Sequence, residues 1–220
     1  MPLILFAILA LASRYEAKLS GREEIEASSY HGQCLNLLIS ALSTPDQVSN
    51  VNLLVVVVLV RLYEELHTQE DYEHHLLGQY RLLNSSERFP SSGGLGEAAC
   101  WQSLRQGVYI SLTRKQPLDI DLNNFEDSKV FRSVSAADTA NVIVYIFSKL
   151  VQFIFSSNTN KEITFSTIKA LEKEIQIWYE RRPPSYQLMY HKERDLSEGR
   201  PFPETWMITP AAGLISLASL

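Results

Sequence analysis

Residues 140–155, ANVIVYIFSKLVQFIF, are apolar almost all the way round a helical wheel. A helix without a polar face is one surrounded by other helices, not one lying on a surface, so this segment is expected to be the central helix of a helical bundle. Asp138 precedes it and can cap its first turn. Everything else in the chain has to supply walls for such an element.

Helical spacing supplies them on both sides. Residues 2–20 predict a helix that stops at Gly21, where positive φ is tolerated. A second helix is expected over 23–43, with Ile25, Leu35, Leu38 and Leu42 inward and Thr44-Pro45-Asp46 as its breaker. Segment 51–66 is contested, since Val55–Val58 favours a strand through side-chain stiffness while RLYEEL favours a helix. One buried helix is the expectation. Thr68 to Asp71 resembles a helix start, and Tyr72, Leu76, Tyr80 and Leu83 predict a helix near 70–84.

The stretch 84–96, rich in Ser and Gly, is expected to be a loop, followed by a helix whose packed face is Trp101, Leu104, Val108 and Leu112. A second loop is expected over 115–137, opened by Pro117 and containing the alternating DIDL. Ile168, Leu171, Ile175 and Trp178 stripe a further helix that Pro183-Pro184 ends. Pro201 and Pro203 frame an extended connection, and residues 209–220 begin a last apolar helix, which suggests a truncated C-terminus. The fold class read from these segments is all-α, with 1–220 as one multi-helix domain.

Of the 220 residues, 45% are apolar and 20% are charged, which is ordinary for a folded protein. The net charge of −5 and the absence of a basic cluster argue against direct contact with nucleic acid, which relies on Lys and Arg to displace counterions. Cys34 and Cys100 are too few for a disulfide framework or a thiolate zinc site. Leu3 to Leu11 with Ala10-Leu11-Ala12 imitates a secretion signal, but the charged leading region is missing and the pattern runs on into SRYEAKLSG. No membrane span is expected.

Chemical motifs are weak. Gly94-Leu95-Gly96 with Ala99 spells a dinucleotide turn but lacks the preceding strand. Asp119, Asp121 and Asn123 open like a calcium loop, yet Asn124 and Val130 stand where Gly and Glu are needed. His67, Asp71, His74 and His75 do not converge on one helix face once a helix starts at Thr68. Hence no catalytic residue, metal ligand, cofactor or DNA-contacting residue is assigned, and the chain is not expected to be an enzyme. Arg105, one turn after Trp101, is expected to clamp the following loop through Asp119 or Asp121.

Several segments in order carry a resemblance: PLILFAILALASRY, LVRLYEEL, HHLLGQYRLL, ACWQSLRQGVYISLTRKQPLDIDL, ANVIVYIFSKLVQFIF, WYERRPPSYQLMYH and FPETWMITPAAGL. The chain resembles the fungal-specific transcription factor domain, the helical regulatory domain that follows a binuclear zinc-cluster module in fungal regulators. The resemblance covers most of the chain and is strongest over 53–214. It implies an all-helical regulatory, effector-sensing or dimerising domain, located in the nucleus, that reaches DNA only through a zinc module absent from this chain. Family-motif positions by that resemblance are Trp101, Arg105, Gln106, Tyr109, Pro117, Leu118, Asp121, Trp178, Pro183, Pro184, Pro203 and Trp206. They are expected to be framework, and no effector site is named. Expected partners are proteins, either a second copy or related regulators. The alternatives are a stand-alone helical adaptor or decoy that pairs with such regulators, and a secreted helical protein with a Cys34–Cys100 bridge.

Overall fold

A computed structural model describes residues 2–43, 50–66, 80–84, 89–156 and 161–207. The chain divides into two compact units, Met1–Ser128 and Lys129–Leu220, and is mostly helical. The expected breaker 44–46, the start and most of the helix near 70–84, the four metal-candidate residues from His67 to His75 and the last helix over 209–220 lie outside the described residues.

In the first unit, α1 (Pro2–Ser20) and α2 (Ile25–Leu42) form a helical hairpin. Gly21, at φ 66°, turns the chain out of α1. The Arg22 N–H closes that end on the Ala17 carbonyl at 3.0 Å. The inward face of α1 is Leu3, Ala7, Ala10, Arg14 and Ala17, mostly small side chains that let neighbours approach. The buried face of α2 is Ala27, Cys34 and Leu38. Ile25 and Leu42, expected inside, are exposed because small residues hold the close-packed side of the hairpin.

Helix α3 (Val51–Glu65) is capped by Asn50, whose side-chain oxygen accepts from the Asn52 N–H at 2.9 Å, as a helix start requires. Every residue from Leu53 to Val58 is buried. Burial on all sides outweighs the modest helix penalty of valine, so the contested segment is helical. It is α3, packed against α1 and the helix Gly94–Arg114, that is surrounded by protein. Within the first unit it has the enclosed environment that was expected for 140–155.

Residues 80–84 are helical, with Tyr80, Leu82 and Leu83 buried. The expected loop 84–96 is shorter, since Phe89–Ser91 forms a 3-10 turn with Phe89 and Pro90 buried, and α4 (Gly94–Arg114) begins inside it. A Cβ on Gly96 would lie 2.9 Å from Val51 Cγ2 and 3.0 Å from Ser92 Oγ, so this glycine lets α4 start against α3. Trp101, Leu104 and Val108 are buried as expected, while Leu112 at the end of the stripe is exposed. Lys115, at φ 55°, ends the helix in the left-handed region. Chain 116–121 then runs extended, and Leu122–Phe125 makes a 3-10 turn.

The second unit opens with a 3-10 turn, Lys129–Arg132, followed by α5 (Ala136–Phe155) and α6 (Lys161–Arg181), which pack on each other. The cap of α5 is Ser135, one turn before the expected Asp138. Ser135 Oγ accepts from the Asp138 N–H at 3.1 Å and donates to the Asp138 carboxylate at 2.6 Å, a reciprocal arrangement that occupies both groups. The core is Ile146, Leu171, Trp178 and Tyr186. Trp178 Nε1 donates to the Thr139 carbonyl and the Tyr186 hydroxyl to the Ala136 carbonyl, each at 2.8 Å, which ties the end of α6 and the Pro184–Tyr186 turn to the start of α5. Lys149 and Glu174 pair at 2.6 Å between the helices.

Helix α5 is not enclosed. Tyr145, Ile146 and Val151 are buried, but Phe147 and Ile154 are exposed. On α6 only Leu171 and Trp178 of the expected stripe are buried, with Ile168 and Ile175 outward. Among the described residues, α5 is the one helix long and apolar enough to cross a membrane. After Pro184–Tyr186 the chain forms an antiparallel hairpin of β1 (Leu188–Lys192) and β2 (Glu204–Met207), with a register irregularity between Leu188 and Tyr190. This is a small exception to the all-α expectation, and residues 201–203, predicted as an extended connection, lie between its strands just before β2. Its turn is held by Asp195, whose carboxylate accepts from the Ser197 N–H at 2.9 Å and the Ser197 hydroxyl at 2.6 Å. Those bonds lower the Asp195 pKa.

Candidate functional site

The chemically richest part of the first unit is where α4 meets the chain that follows it. Leu118, Ile120 and Leu122 are buried while Asp119 and Asp121 between them face out, so the alternating DIDL is an extended strip with one side on the helix. The strip lies close because Gly107 has no side chain. A Cβ there would meet Leu118 Cδ1 at 2.8 Å, Ile120 Cδ1 at 2.9 Å and the Tyr80 hydroxyl at 3.0 Å.

Asn84 fastens the strip by both ends of its amide. Its Nδ2 donates to the Asp119 carbonyl at 3.1 Å and its Oδ1 accepts from the Asp121 N–H at 3.0 Å. The Asp121 carboxylate accepts from the Asn123 N–H at 3.0 Å and caps the Leu122–Phe125 turn, a local bond that short acidic side chains favour. Trp101 packs edge-on against Phe125, with ring centroids 5.1 Å apart, so the turn seals the buried face of α4. Ser128 Oγ donates to the Glu97 carboxylate at 2.7 Å and returns the chain to the start of the same helix.

Arg61 and Glu64 of α3, Tyr80, and Gln106 of α4 are buried polar side chains of the first unit. Arg61 Nε stands 3.4 Å from a Glu65 carboxylate oxygen, one turn along the same helix. Burial pushes the Tyr80 phenol up to about 12, with Arg61 opposing the shift and Asp119 adding to it.

A second polar cluster joins the hairpin to α3. The buried Arg14 guanidinium donates to the Tyr63 carbonyl at 3.0 Å. It also pairs with Glu24 at 2.7 Å. The same group lies 3.7 Å over the Tyr63 ring, where the ring face attracts a cation. His31 stacks on that ring with centroids 4.2 Å apart. Burial raises the Tyr63 pKa, while Ser28 and Arg14 act against the rise. Sequence spacing did not mark Arg14. The signal available was a lone arginine falling on the Leu3, Ala7, Ala10 and Ala17 face, where an unpaired charge is not tolerated.

Both thiols are buried and free, and no bridge joins Cys34 to Cys100. Burial pushes Cys34 up to about 11 and raises Cys100 further, with Glu97 adding to the latter, so both are protonated at neutral pH. Among the described residues no cluster of three or more His, Cys, Asp or Glu could hold a metal ion.

The family-motif positions fall in three places. Trp101, Gln106 and Leu118 are buried and Arg105 is half-buried around the α4 strip, whereas Tyr109, Pro117 and Asp121 face outward. Trp178, Pro183 and Pro184 belong to the end of α6 and the turn that caps the second core, with Trp178 buried. Pro203 and Trp206 are at β2, where the exposed Trp206 ring lies 5.4 Å from that of Tyr190. Asn84 attaches the strip at Asp119 and Asp121, a contact that sequence spacing did not mark. No family model, no curated protein and no solved structure matches the chain.

Proposed function

We propose that this chain is a regulatory domain of the fungal zinc-cluster transcription factor type, a nuclear helical module that takes an effector or partner signal and passes it to a DNA-binding segment outside its own residues. The observation that carries the reading is the order of the resembling segments, above all ACWQSLRQGVYISLTRKQPLDIDL, together with a mostly helical fold. In keeping with it, that segment folds as one unit of helix and returning strip about Gly107. A net charge of −5 suits a domain that leaves phosphate contact to another module. Signalling in such a domain is a change in the population of two packings, not a chemical step.

The test is a fusion of the whole chain to an unrelated DNA-binding domain, assayed on a reporter in a fungal cell. The expected result is a several-fold change in reporter output relative to the DNA-binding domain alone. A folded, nuclear fusion with unchanged output would remove the reading. A gel-shift with the purified chain is its complement, and salt-sensitive, sequence-specific binding by these residues alone contradicts it.

A second reading, the stand-alone adaptor that pairs with related regulators, is favoured by the exposed apolar side chains of α1. Co-purification with a full-length regulator, coupled to loss of that regulator from DNA, distinguishes it.

A further inference from the structure

We draw no further inference here: the strongest candidate, the outward apolar surface patch of α1 made by Leu5, Ile8, Tyr15 and Leu19, is an unpartnered helix face, and nothing in the structure shows what covers it.

Discussion

At Gly107 and Gly32 the same substitution is expected to act with opposite sign. Both are helical glycines, and alanine gains about 0.5–1 kcal/mol of helix propensity at either. At Gly32 nothing lies within 4 Å of an added Cβ, so Gly32→Ala is expected to stabilise by that amount. At Gly107 the Cβ meets three buried side chains at 2.8–3.0 Å, and overpacking of this kind costs about 1–3 kcal/mol. Gly107→Ala is expected to lose about 1 kcal/mol net. Urea midpoints of the two variants check both signs, and equal shifts would show that the strip does not bear on Gly107. Neither sign is legible in sequence, because QGV and HGQ look alike until the facing residues are known.

Among the elements, α5 offers the clearest local test. Ser135 and Asp138 satisfy each other and the first turn, and loss of such a cap costs about 1 kcal/mol. Ser135→Ala is expected to lower the thermal midpoint and Ser135→Thr to restore most of it, as followed by circular dichroism. No difference between the two would mean the cap contributes nothing. The helices themselves were legible, because Gly21, Pro183 and the 3.6-residue spacing are local signals. Which apolar helix sits inside was not, since Val51–Glu65 and Ala136–Phe155 are both apolar nearly all round. The hairpin of β1 and β2 was missed because its strands are short and exposed, without a buried side to impose alternation.

For the molecule as a whole, the buried acids set an alkaline limit. Cys34 rises from 9.0 to about 11 and Tyr80 from 10.0 to about 12. The folded chain holds these protons above the pH at which the unfolded chain releases them. Their contribution is therefore complete below about pH 9 and declines as pH rises through 11 to 12. Urea midpoints are expected to be level from pH 7 to 8.5 and to fall beyond 9, with Tyr80→Phe flattening the upper part of the fall. A midpoint that holds steady to pH 11 contradicts the burial of both groups.

Local chemistry in the sequence determined where most helices start and stop and that the chain is net acidic. Those properties depend on composition or on neighbours a few residues apart. Tertiary structure alone decided that α3 is enclosed and α5 is not, that Arg14 is buried over Tyr63, that Asn84 fastens the strip at Asp119 and Asp121, and that α1 keeps a second apolar face outward. Each of these depends on residues distant in the chain and brought within a few ångströms, a distance that helical spacing does not encode.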